Sequence, residues 1–201
     1  MSNIIAIETA TEACSAALGV DGRIFERSEI APRRHAELIL PMIESLLAEA
    51  GIARTQLDAI AVGRGPGAFT GVRLAIAVAQ GLALALDIPV VPVSSLAALA
   101  QDAPDAGAAI LAVIDARMGE VYAGAFRRGE DGLVEAVNEE SVGQANALTL
   151  PQGQRWCVVG TGWDAYRDAL AARLPAAPFF ADGARFPQAS AVARLAAPQF
   201  A

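Results

Sequence analysis

An α/β fold with a partly parallel sheet is what this sequence predicts, on three observations. Short apolar runs of strand length alternate with longer stretches whose apolar residues recur at helical spacing. Gly and Asp-Gly turns punctuate those runs. Hydrophobic residues fill 54% of the 201 positions, enough for a sizeable core.

The elements follow in order. "NIIAIE" (3–8), "ACSAALGV" (13–20) and "RIFERSEI" (23–30) read as three strands parted by "TATE" and "DG". "HAELILPMIESLLAEAG" (35–51) changes period: Ile39, Met42, Ile43, Leu46 and Leu47 share a helical face, and Gly51 stops the run. Pro41 has no N–H, so it either starts the regular part of this helix or kinks it. "LDAIAVG" (57–63) reads as a buried strand, followed by a Gly-rich loop and a helix over about 70–86. "IPVVPVS" (88–94) is a strand and "SLAALAQ" (95–101) a short helix. "DAPDAG" (102–107) is a polar break, which predicts an N-terminal lobe over 1–101 and a C-terminal lobe over 102–201.

Beyond the break the pattern restarts. "AILAVIDARMGEVYAGAF" (109–126) echoes the first two strands, each apolar run ending in an acid, Glu8 or Asp115. "CVVGTGWDAYRDAL" (157–170) echoes "AVGRGPGAFTGVRL" (61–74), with Gly160 and Gly162 matching Gly63 and Gly65. Two echoes in one order suggest an internal duplication, shorter in its second copy. The tail after 175 is expected to hold one short strand and a helix over 189–196.

Net charge is −7, so the chain is a poor stand-alone binder of nucleic acid, whose phosphates need Lys and Arg. Two cysteines, Cys14 and Cys157, form no CxxC pair and point to a reducing compartment. "MSNIIAIETA" lacks the make-up of a signal peptide. The most apolar segment, 74–86, lies between Arg73 and Asp87 and is expected to be too short for a bilayer span. A cytoplasmic protein is expected.

The loop with Gly63, Gly65 and Gly67 invites a nucleotide reading. A Walker loop needs a Lys that is absent here, and a dinucleotide fingerprint needs a third Gly where Ala68 stands. Free N–H groups at the following helix start favour an anion; equally, the glycines permit a sharp turn and close helix packing. Glu8 and Asp115 can serve a metal–nucleotide or cap their turns. His35 is the single histidine, so no paired metal ligands or HExxH are present. Ser94 and Ser95 have no evident base. No catalytic or metal residue is assigned. In the 70–86 helix, Gly71, Ala75, Ala79 and Ala83 form one small-residue row, and Ala77, Gly81 and Ala85 a second. Leu74, Val78, Leu82 and Leu86 form a larger apolar row. A helix apolar nearly all round is covered on most sides, by its own chain or by another.

"GRGPGAFTGVRLAIAVAQGLA" is similar to the signature of the bacterial TsaB (YeaZ) family. "HAELILPMIESLLAEAG", "DAIAVGRGPG", "IPVVPVSSLAALA" and "DARMGEVYAGAF" resemble family segments in family order. The likeness is good over 3–126 and weak beyond. It implies the two-lobed actin-like (ASKHA) fold of actin, Hsp70 and sugar kinases, with duplicated lobes. It implies a non-catalytic role in making threonylcarbamoyladenosine beside the tRNA anticodon, with a TsaD-like transferase and a TsaE-like ATPase as partners. ATP and a metal ion are then expected on the partners and no cofactor on this chain. Contact with tRNA is expected through the complex only, self-pairing when the chain is alone, and no membrane.

The resemblance places the pairing surface on the two long helices: Ile39, Met42, Ile43 and Leu46, with Ala75, Val78, Ala79 and Leu82. Glu8, Gly63, Gly65, Gly67, Asp115, Gly160 and Gly162 become a vestigial nucleotide cleft. Two departures stand out. The first turn reads Glu8-Thr9-Ala10 where the family opens with Asp-Thr-Ser/Thr, and the chain stops at Ala201 without the family's Leu-Arg pair and late Trp. The alternative is an ATPase or phosphotransferase of the same fold, with Glu8 and Asp115 on the metal side. A peptidase reading finds no support in the residues.

Overall fold

The computed structural model describes residues 2–104, 107–151 and 155–200. Asp105 and Ala106, inside the expected lobe boundary, lie outside the described residues. The chain divides into two compact units, Met1–Ala98 with Pro187–Ala201, and Leu99–Phe186.

In the first unit, strands β1 (Ile4–Glu8), β2 (Ala13–Val20) and β3 (Arg23–Ile30) precede helix α1 (His35–Ala50). Strand β4 (Ala59–Gly63), helix α2 (Phe69–Leu86), strand β5 (Val90–Val93) and helix α3 (Ser95–Gln101) follow, the residues of α3 from Leu99 on being counted in the second unit. The sheet order is β3-β2-β1-β4-β5. The first three strands are antiparallel, and β4 and β5 run parallel to β1. Parallel strands need a crossover, which α2 supplies between β4 and β5. α1 begins at His35, so Pro41 lies inside the helix, on its exposed side, and gives up one rung of its ladder. Gly51 ends it in the left-handed conformation, with φ +68.

The sheet has one large-residue face and one small. Ile5 pairs with Leu18 and Ile60, and Ile7 with Ala16 and Val62. These pack with Ile39, Ile43 and Leu46 of α1 and Ala75 and Ala79 of α2. One residue on, Ala6 pairs with Ala17 and Ala61. Successive strand side chains point to opposite faces, so the alanines face away from α1 and α2. Helix α6 (Ala189–Phe200) packs against β1, β2, β4 and β5, burying Ala189, Val192, Ala193 and Ala196. Alanine opposite alanine lets helix and sheet approach closely. Its first N–H groups are satisfied by the sheet: Ala189 donates to Ser15 Oγ at 3.0 Å and Ser190 to Glu26 Oε1 at 2.8 Å. Residues 187–201 therefore belong to the first unit, which corrects the expected lobe over 102–201. The bonds from Ser15 and Glu26 and the alanine face are the reason.

The second unit repeats the plan. Strands β6 (Ala109–Arg117) and β7 (Glu120–Arg128) form a hairpin, with β8 (Val134–Ala136) and β9 (Ser141–Gln144) both paired to β7. Strand β10 (Trp156–Val159), helices α4 (Thr161–Ala165) and α5 (Arg167–Ala171) and strand β11 (Phe180–Asp182) complete it. β10 runs parallel to β6 and β11 to β10, the directions of β4 and β5 in the first unit. The matching strand order supports the duplication read from the echoes.

By length and composition alone α2 is apolar enough to cross a membrane, with a mean hydropathy of 1.7 over 18 residues. It is longer than the 74–86 segment suggested. In the fold its Gly71, Ala75 and Ala79 row is buried.

The alanine face yields a stability test. Ala17→Leu or Ala61→Leu should cost about 1–3 kcal/mol in urea unfolding by overpacking under α6. Ala85→Leu, on the exposed side of α2, should move stability by less than about 0.5 kcal/mol. Equal small effects at all three would show that the face is not close-packed.

Candidate functional site: a roofed turn and an open helix face

Glu8 ends β1 with no solvent exposure. Its Oε1 accepts the Ala10 N–H at 2.6 Å, and its Oε2 accepts the Ser95 hydroxyl at 2.6 Å. Ser95 opens α3, and its own N–H donates to the Gly65 carbonyl at 2.9 Å. Burial pushes the Glu8 carboxyl up to about 7 from an ordinary 4.5, against the pull of the hydrogen bonds from Ser95, Ala10 and Thr9.

The glycine loop closes over this turn. A Cβ on Gly63 would sit 2.0 Å from Glu8 Oε2, one on Gly67 2.3 Å from the Ala10 carbonyl oxygen, and one on Gly71 2.0 Å from that of Thr9. Ala68 N–H donates to the Ala10 carbonyl at 2.7 Å, and the Thr9 hydroxyl to the Gly71 carbonyl at 2.7 Å. The glycines are thus required by contact with the chain itself. Loop, turn and α2 form one close-packed joint.

In the second unit Gly160, at φ +108, directs its missing Cβ to within 2.2 Å of the Val113 carbonyl oxygen, and a Cβ on Gly162 would lie 3.0 Å from Val113 Cβ, a looser contact. Asp115 accepts from the Arg117 N–H at 2.8 Å, the Arg117 guanidinium at 2.9 Å and the Tyr166 hydroxyl at 3.1 Å. Its N–H donates to Thr161 Oγ1 at 3.1 Å. Glu8 with Gly63, Gly65 and Gly67 meet in the first unit, and Asp115, Gly160 and Gly162 in the second. In each, the acid's oxygens are engaged by the chain's own donors.

His35 is the first residue of α1, and its Nε2–H donates to the Thr11 carbonyl at 2.9 Å. It ties helix to turn. Among the described residues no group of three His, Cys, Asp or Glu could hold a metal. Burial pushes the Cys14 and Cys157 thiols up to about 11, which leaves them unreactive. Ser95, without an evident base in sequence, proves to be a partner of Glu8, 87 residues away.

The helix faces need correcting. Ile39, Ile43, Leu46, Ala75 and Ala79, expected on a pairing surface, are buried in the core against β1, β2 and β4. A residue with no exposed surface offers nothing to a partner. Met42, Val78 and Leu82 are half-buried. What α2 leaves open is the other row, Ala77, Gly81 and Ala85, with Phe69 at 67% and Leu84 at 86% exposure. On α1, Leu40 is exposed at 47%. The Arg73 guanidinium lies over the Phe69 ring at 3.5 Å, holding it at the head of the row. Helical spacing marked both rows without saying which faced inward.

Two copies of one sheet-and-helix plan, each with its strand-end acid and glycine turn, define the class: a duplicated, actin-like α/β protein. A family model described as "TsaD: tRNA N6-adenosine threonylcarbamoyltransferase" matches residues 27–197. The tRNA threonylcarbamoyladenosine biosynthesis protein TsaB of Escherichia coli is 45% identical over 170 residues, spanning 82% of this chain and 74% of that protein. TsaB of Haemophilus influenzae is 43% identical, over 81% and 73% of the two chains. The solved structure of YeaZ from Pseudomonas aeruginosa superposes with a TM-score of 0.90 at 44% identity, covering 99% of this chain and 93% of that one. The chain belongs to the TsaB (YeaZ) family.

The joint at Glu8 carries a pH signature. With its carboxyl near 7 in the fold and 4.5 as its ordinary value, the folded chain keeps a proton that the unfolded chain releases. That contribution to stability is fully present below pH 4.5 and lost as pH rises through 7. At roughly 1.4 kcal/mol per unit, the swing is about 3 kcal/mol. Glu8→Gln should abolish it. The measurement is the difference in urea unfolding between pH 5 and pH 7.5, wild type against variant; parallel pH curves would refute the assignment.

Proposed function

We propose that this chain is a docking subunit, itself without catalytic groups, of the assembly that makes threonylcarbamoyladenosine in tRNA. The observation that carries the reading is the open row of α2. Leu84 and Phe69 stand in solvent around a floor of Ala77, Gly81 and Ala85. A Cβ on Gly81 would meet nothing within 4 Å, so the fold itself does not demand a glycine there. Mid-helix glycine costs roughly 1 kcal/mol against alanine. A smooth apolar floor lets another helix approach closely. The relatives' name supports the setting.

The partner is a TsaD-like transferase, with a TsaE-like ATPase beside it. ATP and a metal ion belong to those proteins, and tRNA meets this chain only through them. Alone, the chain pairs with itself through the same row, since an apolar helix face in water favours cover. Its place is the cytoplasm, and α2 serves a protein rather than a membrane: Arg73 and Gln80 share its exposed side. The phosphotransferase alternative gains nothing from the geometry, because Glu8 and Asp115 are already bonded within their units.

Leu84→Asp tests the surface. The exposed position should leave urea unfolding unchanged within about 0.5 kcal/mol. Affinity for the transferase, read by sedimentation, should fall at least tenfold, or about 1.4 kcal/mol. Gly81→Ala should stabilise the isolated chain by roughly 1 kcal/mol yet weaken the pair. Ala79→Asp is the control for a lost fold. Full assembly of the Leu84→Asp protein would remove α2 from the interface.

A further inference from the structure

At the end of the first sheet away from Glu8, the β2–β3 hairpin and the last turns of α6 border a cavity of about 380 Å³. That is the size of a small-molecule site, roughly 300–1,000 Å³. Strand register explains its floor. Ile4 pairs with Gly19, and Gly19 with Ile24. The three therefore share the face of the sheet that carries α6. Ala193 and Ala197 line the cavity from the helix. A glycine between two isoleucines, facing alanines, leaves a trough.

The fold does not require that glycine. Gly19 has ordinary strand backbone, and a Cβ on it would meet only the Ile4 carbonyl oxygen, at 3.8 Å. Glycine inside a strand weakens it, and often marks the place where a ligand approaches closely. The charge around the trough is also particular. Arg23 borders it at the hairpin and Arg194 on the helix, and among its described lining residues there is no acid. The whole chain has the reverse balance, 22 acids against 15 basic residues. Among the described residues Arg23 has no carboxylate partner; its guanidinium carbon lies 5.1 Å from the centroid of the Phe25 ring.

The one other polar side chain in the lining is Ser2. A sugar, a nucleotide or a peptide carries polar groups along its whole length, and these walls would leave them unpaired at a cost. A ligand that is apolar along its body and anionic at one end meets no such cost. We propose that the trough binds a medium-chain fatty-acid anion. Its chain lies over Gly19, between Ile4 and Ile24 and the alanines of α6. Its carboxylate takes the Arg23 guanidinium at the rim, whose fork matches a carboxylate in shape and charge. Arg194 adds positive potential from the helix. No residue of α2 lines the trough, so the site is independent of the docking surface.

Calorimetric titration of the full chain with octanoate, decanoate and decanol, each below its aggregation limit, tests the proposal. Each added methylene should tighten binding about fourfold, so decanoate should bind roughly 15-fold better than octanoate. Decanol should bind at least tenfold more weakly than decanoate, and Arg23→Gln should remove that difference. Gly19→Val fills the trough from the strand and should abolish binding. Ala197→Leu, at an exposed position, fills it from the helix and should do the same with the ligand-free thermal midpoint unchanged. Leu84→Asp should leave decanoate affinity as it is. No heat with decanoate, equal affinity for decanol, or full binding by the Ala197→Leu protein overturns the site. Binding lost in Leu84→Asp also overturns it, by placing the ligand on α2.

Discussion

The carboxyl of Glu8, enclosed between the ends of β1 and β4 and the start of α3, is the constraint around which the first unit is arranged. Removing a carboxyl from water is costly, so its surroundings must supply donors. Ala10 and Ser95 supply them, one from the next turn and one from 87 residues on. Room for the group exists only because Gly63 has no side chain. The same economy repeats at Gly67 and Gly71, where the turn's carbonyls press on the loop and on α2. What resembles a phosphate loop in sequence is here a mechanical joint that aims α2.

That aim decides what the helix can do. α2 sits on β1 and β4 with its buried small row, Gly71, Ala75 and Ala79, flanked by half-buried Ile76, Val78, Leu82 and Leu86, while the sheet offers Ile60 and Val62 as filling side chains. Narrow attachment leaves the opposite row open along the helix. An apolar row in water is worth covering at about 25 cal/mol per Å², and this is the physical motive for a partner. The sheet's other face carries α6, whose alanines meet those of β1, β2 and β4. The asymmetry of the sheet, large residues on one side and small on the other, therefore separates the side that carries α6 from the side whose helix α2 keeps an exposed apolar row.

Duplication supplies a second contrast. Both units hold a strand-end acid by main-chain and hydroxyl donors, and both press a glycine of the following turn onto the first strand. Only the first has a loop long enough to cover its turn. The shorter spacing in the second echo was visible as missing residues; its consequence, a turn in which Met118 stays exposed, follows from packing.

The residues alone determined the elements and their order. The short apolar run in 13–20 and helical spacing in 35–51 are local signals, and local hydrogen bonding answers them. They also carried the repeat and the family, through runs such as "GRGPGAFTGVRL" and "DARMGEVYAGAF". The core rows of α1 and α2 could not be told from the open ones. A helix apolar on nearly every side has no polar stripe to mark its solvent face, so Ala79 and Ala77 look alike until the sheet selects one. The pairing of Ser95 with Glu8 and the return of α6 to the first sheet were likewise decided by tertiary structure. Each joins residues far apart in the chain, and no local pattern records which distant surfaces will meet.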